Sequence, residues 1–199
     1  MSGEDIESLR RAIEANARPR NSYWAWRDKP IAERGAADTI LRAAGLRVDR
    51  LVSRGEGQDP PDCEGMVDGL WSGIEVTELV HRETLEQSIT AIRQRNAGRE
   101  SRLPVAYFEW ARGDLLAALQ ELINGKDKAD LKGGPYDQYI LVIHTDEFFL
   151  LPDTVARYVE GAIFDVKCIT QAYLGLSYRP DTAAGEGGHP AFRLSLVRA

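Results

Sequence analysis

The sequence predicts a mixed α/β fold, a central mixed β-sheet with helices on its faces. Three observations carry this. Segments with a helical apolar period are interspersed with short strand-like runs along the 199 residues. The run 138–146 (QYILVIHTD) is apolar on both faces, as a central strand requires. Asp68-Gly69, a dipeptide suited to a two-residue turn, separates two strand-like segments.

Residues 4–17 set Ile6, Leu9, Ile13 and Ala17 on one helical stripe, and Pro19 ends it. Residues 1–20 therefore read as a helical extension and 21–199 as a single domain. A second helix is expected over 30–44, with Pro30 at its first position, Gly45 at its exit and a stripe of Ala37, Ile40, Leu41 and Ala44. Residues 46–52 alternate in the strand manner, and 63–80 read as a hairpin. A helix follows over 82–97, on Leu85, Ile89 and Ile92, with Gly98 closing it. A strand is expected over 104–110 and a helix over 114–124. After the central strand come a helix over 152–164 and two late strands, 169–178 and 190–197, joined by the Gly-rich segment 180–189.

Composition narrows the function. The net charge of −6 argues against a protein that coats DNA through bulk charge, although not against a local basic groove. Cys63 and Cys168 are two lone thiols, so neither a disulfide framework nor a zinc ribbon is expected, and the usage suits a reducing cytoplasm. The acidic start MSGEDIESL lacks the apolar stretch of a signal peptide, and the longest apolar runs, 139–143 and 148–151, are too short to span a membrane. A cytoplasmic protein without a membrane partner is expected.

The chemistry concentrates in 59–79 (DPPDCEGMVDGLWSGIEVTEL). If Asp68-Gly69 is a two-residue turn, Val67 faces Leu70 and Asp62 faces Glu75. Directly opposed side chains have Cβ atoms roughly 4.5–5.5 Å apart. Two carboxylates so placed repel unless a cation lies between them or one keeps a proton. Mg²⁺, which takes one or two carboxylates plus water, is the natural cation. Thr77 shares a face with Glu75, while Ile74 and Val76 point the other way. A turn at Ser72-Gly73, or a one-residue slip, would separate the two acids.

This segment resembles the core signature of the PD-(D/E)XK nuclease superfamily, in which Pro-Asp is followed, after a hairpin, by an acid, any residue and lysine. Here the match is Pro61-Asp62, then Glu75-Val76-Thr77, with the apolar lead-in Gly73-Ile74 and an α-β-β-β-α order over roughly 30–98 plus a following strand. The resemblance implies a restriction-endonuclease-like core and hydrolysis of nucleic-acid phosphodiesters, DNA first among them, with Mg²⁺ or Mn²⁺. It implies that Asp62 and Glu75 hold the ion, with the Val76 carbonyl, and that Thr77 positions the attacking water. The family often supplies a further acid from the preceding helix; Glu33 extends the buried stripe there, or else complements the helix dipole.

Thr77 stands where the family has its lysine, and the chain has no lysine between Lys29 and Lys126. Arg82 and Gln87 are candidates to replace it, with Lys126 and Lys128 as alternatives. The three lysines within 126–132 also read as an ordinary basic helix exit. Arg93 and Arg95, with Arg99 and Arg102, are candidates for phosphate contacts, and Trp71, Tyr107 and Trp110 for stacking. The other reading of these arginines is a mixed-charge solvent face.

His81, His144 and His189 have no metal-ligand spacing, and His144 reads as a polar group at a strand end. Cys63, Ser88 and Ser177 lack the setting of a nucleophile. Tyr136, Tyr139, Phe148, Phe149, Tyr158 and Phe164 are expected in the core. Two other functions compete: a catalytically inactive nuclease fold acting as a nucleic-acid or protein interaction module, and an assembly protein whose helix 4–17 meets a second copy or another protein.

Overall fold

The computed structural model describes residues 29–55, 57–81, 86–87, 90, 94, 108–147, 150–176 and 189–199. Contacts divide the chain into two units, residues 1–22 with 81–108 and residues 23–80 with 109–199. In the first unit the described residues 86, 87, 90 and 94 are helical, as expected within 82–97. The ring of His81 lies on that of Phe108, with centroids 3.6 Å apart. The helix expected over 4–17 and the linker over 180–188 lie outside the described residues.

The second unit is a mixed α/β fold. Its elements are α1 (Lys29–Ala43), β1 (Val48–Ser53), β2 (Cys63–Val67), β3 (Leu70–Glu78), α2 (Arg112–Lys126), β4 (Gln138–Thr145), α3 (Pro152–Val159), β5 (Ile163–Val166), β6 (Gln171–Leu176) and β7 (Ala191–Arg198). The strands form one seven-stranded sheet in the order β1-β2-β3-β4-β6-β7-β5. β1, β2 and β3 form an antiparallel meander; β4 is parallel to β3, and β6 is parallel to β4. β7 runs antiparallel to β6, and β5 pairs parallel to β7 at the edge.

α1 forms where the stripe predicted it. Ala37, Ile40 and Leu41 are buried against Val48, Val67, Ile74, Val76, Ile140 and Val142. Gly45, at φ +86°, ends the helix: its N–H bonds the Arg42 carbonyl, and Leu46 N–H reaches back to the Leu41 carbonyl, the Schellman arrangement. The helix packs so close to β6 that a Cβ on Gly175 would lie 2.3 Å from Ile40 Cγ1. Only glycine fits that contact without displacing a buried side chain.

The hairpin register is the one that Asp68-Gly69 requires. Both residues have positive φ, +50° and +83°, as a type I′ turn demands. Val67 pairs with Leu70 and, four steps along, Cys63 pairs with Ile74. Asp68 also accepts the Arg47 N–H through Oδ1 at 2.8 Å, which fixes the turn to β1.

Two expectations are corrected. No strand forms over the described part of 104–110: residues 108–110 are irregular. The helix from Pro152 stops at Val159 rather than 164, because Gly161 takes a left-handed φ of +68° and the chain restarts as β5 with Phe164 buried in it. The strand alternation in IFDV (163–166), exposed then buried, is a period of two that a longer helix would violate. Among the described residues no helix is long and apolar enough to cross a membrane.

Candidate active site

Cys63 and Ile74, the last hydrogen-bonded pair of the hairpin, both point into the α1-side core. One step further, Asp62 and Glu75 therefore face the opposite side of the sheet together. Asp62 Oδ2 accepts the Val76 N–H at 2.8 Å, so Val76 meets the site through its amide. Glu75 is buried at 5% exposure, and among the described residues its Oε2 has no hydrogen-bond partner. Its Oε1 lies 3.3 Å from Lys126 Nζ. Burial, followed by hydrogen bonding and repulsion from Asp62, pushes the Glu75 carboxyl up to about 8 against the pull of Lys126. At neutral pH, without a cation, the pair thus holds a proton.

Lys126 is the last residue of α2, whose buried stripe is Leu115, Leu119 and Ile123. Its main chain is firmly held. Tyr139 donates its hydroxyl to the Lys126 carbonyl at 2.5 Å. The next residue, Asp127, bonds the Ile123 carbonyl through its N–H and accepts the consecutive N–H groups of Lys167, Cys168 and Ile169 on its carboxylate. These contacts aim the exit of α2 at the hairpin.

The segment carrying Asp62 is fixed as well. Arg54 N–H bonds the Asp62 carbonyl at 2.9 Å, and Lys132 N–H bonds the Pro60 carbonyl at 2.7 Å. Lys132 Nζ donates to the Gly57 carbonyl at 3.1 Å. Arg54 Nη1 donates to Glu64 Oε2 at 2.6 Å and to the Tyr136 hydroxyl at 2.7 Å, and that hydroxyl donates to Glu64 Oε2 at 2.8 Å. Gly133 is needed here: at φ +79° any Cβ would strike Arg54. Tyr136, expected in the core, is instead a half-buried polar clamp, because its hydroxyl must meet Arg54 and Glu64.

Glu33 is buried at 7% exposure near the start of α1 and pairs with Lys29 at 2.9 Å. Burial raises its carboxyl, the Lys29 hydrogen bond opposes this, and the Asp62 charge adds to the rise. Glu33 is thus within the electrostatic reach of Asp62 and Lys126. Yet no three acidic, His or Cys side chains among the described residues form a metal-ligand cluster. Thr77 is half-buried on the Glu75 face, one strand period beyond it.

Of the residues expected to bind nucleic acid, Arg82, Arg93 and Arg95 lie outside the described residues, as do Arg99, Arg102 and Tyr107. Gln87 is exposed in the first unit. Trp110 is corrected: at 6% exposure it is core, not a stacking surface. Trp71 is half-buried and stacks on Tyr136 with centroids 6.5 Å apart. Burial raises the Cys63 thiol to about 12 and lowers His144 to about 4, so the thiol stays protonated and the imidazole neutral.

The residues fit a hard divalent cation in one respect, two converging carboxylates with an orphaned buried oxygen on Glu75. Water would have to complete its coordination. Sequence reasoning gave Lys126 low weight, although its signal was available: three of the chain's five lysines fall within 126–132. No protein-family model matches the chain, and neither curated proteins nor solved structures show a match.

Proposed function

We propose that this protein hydrolyses nucleic-acid phosphodiester bonds with a divalent cation, on a PD-(D/E)XK-like core in which Lys126 takes the part of the strand lysine. The observation that carries this reading is the Lys126 ammonium 3.3 Å from Glu75 Oε1, beside the facing Asp62. The element order α1-β1-β2-β3-α2-β4, with β4 parallel to β3, supports it. The inactive-module alternative leaned on the missing lysine at 77 and on the acidic net charge; a cation arriving from α2 answers the first and favours catalysis.

Asp62 and Glu75 would hold Mg²⁺ or Mn²⁺. Bound there, the ion would acidify its water and neutralise phosphoryl oxygens. Lys126 holds the attacking water or a non-bridging oxygen by hydrogen bonding, and its charge opposes the negative charge that develops on the phosphoryl group. Thr77 offers that water a neutral hydrogen-bond partner, and Glu33 acts on the site through its field. The water oxygen bonds to phosphorus as the P–O bond to the leaving nucleoside breaks, and a proton passes to the departing oxygen.

The test is cleavage of duplex DNA, single-stranded DNA and RNA by purified protein with Mg²⁺ or Mn²⁺. Asp62→Ala, Glu75→Ala and Lys126→Ala should each lower the rate by about 100-fold or more while the circular dichroism spectrum holds. Intact substrates with either ion would overturn the reading.

A further inference from the structure

The lysines of this chain are distributed unevenly in space as well as in sequence. Of five lysines against 20 arginines, Lys29 pairs with Glu33 and feels the charges of Asp62 and Asp59, and Lys126 pairs with Glu75. Lys132 lies in the α2–β4 connection, which is bonded to the 57–60 segment just before Asp62. Lys128 is in the same connection, its N–H bonded to the Lys126 carbonyl at 2.9 Å. Four of the five thus belong to elements that meet at the acid pair.

Their pairing divides them. Lys29 and Lys126 are each engaged with a buried glutamate, Glu33 at 2.9 Å and Glu75 at 3.3 Å. Lys128 and Lys132 are exposed, and neither is ion-paired with a carboxylate among the described residues; the Lys132 ammonium donates only to the neutral Gly57 carbonyl. The acids of the connection do not cancel them fully. Asp127 is taken up by three backbone N–H groups and Asp137 accepts the Trp71 N–H, while Asp59 and Asp130 are exposed. The bonds of Lys132, Tyr136 and Arg54 tie this connection to the segment before Asp62, and it carries two ammonium groups with no carboxylate partner among the described residues.

We infer that Lys128 and Lys132 bind the sugar-phosphate backbone of a nucleic acid on either side of the phosphate presented to Asp62 and Glu75. The inference rests on the proposed nuclease reading and names the surface through which its substrate would be held. A rim of this kind answers the difficulty set by a net charge of −6, since phosphate binding needs local cations and not a basic protein.

The test is fluorescence anisotropy of a fluorescein-labelled DNA duplex against full-length protein carrying Glu75→Gln, in EDTA, at several salt concentrations. The Glu75 change removes cleavage, so binding is read alone. Adding Lys128→Gln and Lys132→Gln should weaken binding about tenfold and flatten the slope of log affinity against log salt by about two, near one per lost phosphate contact. Glutamine at 132 keeps a donor for the Gly57 carbonyl, so the loop keeps its anchor. Arginine at both positions should restore the slope. An unchanged slope in the glutamine variant, displacement of the duplex by polyglutamate as readily as by DNA, or no binding to duplex would overturn the inference. Cleavage by the native protein combined with an unchanged slope would sink this inference and leave the nuclease reading. The expected slope change without any cleavage by the native protein would uphold the binding surface and sink the nuclease reading.

Discussion

Glu75 is the residue whose chemistry and stability are most tightly joined. Its folded-state value, about 8, lies above that of a free carboxyl, near 4. The protonated fold is therefore favoured: this stabilisation is complete below about pH 4 and is lost as pH rises through about 8. Thermal melts from pH 4 to 9 should show the native protein losing on the order of a few kcal/mol relative to Glu75→Gln. Mn²⁺ at pH 8 should raise the melting temperature of the native protein and not that of the variant. Parallel curves for the two proteins would refute the burial argument. At the same scale, Lys126→Ala should lose the cleavage rate, and adding Thr77→Lys should recover part of it, because residue 77 shares the Glu75 face. The pair Asp62 and Glu75 was legible in the sequence because a two-residue turn fixes every partner along a hairpin. Lys126 was not legible as a partner, because 51 residues and a crossover separate it from Glu75 and no local periodicity reports which way a helix exit points.

The elements were readable where a period or a turn residue marks them. α1 and the hairpin follow from the Ala37-Ile40-Leu41 stripe, Gly45 and Asp68-Gly69. α3 was read too long because Ala162 and Phe164 continue an apolar pattern past Gly161, and in so short a window helix and strand periods agree. Two element-scale outcomes follow. Gly175→Ala should cost about 1–3 kcal/mol in urea unfolding, since the new methyl group must push Ile40 or lift α1; a change within error would mean that α1 yields freely. Asp127→Ala should cost about 2 kcal/mol, since it leaves three backbone N–H groups without their carboxylate. Asp127→Asn should restore part of that loss, through the one carbonyl oxygen that it keeps.

At the scale of the whole molecule, the fold class was legible and the division into two units was not. The helical stripe over 82–97 looks like any other amphipathic helix, and nothing in its sequence says that it groups with residues 1–22. The stacked rings of His81 and Phe108 hold the two ends of the 82–107 excursion together. Replacing 82–107 with a short Gly-Ser linker should therefore leave residues 23–80 and 109–199 able to form the seven-stranded sheet, seen as a retained strand signal in circular dichroism and one cooperative melt. A chain that fails to fold would show that the sheet depends on the excised segment.

The grip on the end of α2 carries one more consequence. With the Lys126 carbonyl held by Tyr139 and the next carboxylate bolted to 167–169, the backbone there has no hinge. The ammonium can travel only by rotating its own four-carbon arm, and it swings from a stationary pivot. Occupancy of the cleft would then be read as a change of side-chain torsion at Lys126, with the main chain of 123–139 superimposing before and after.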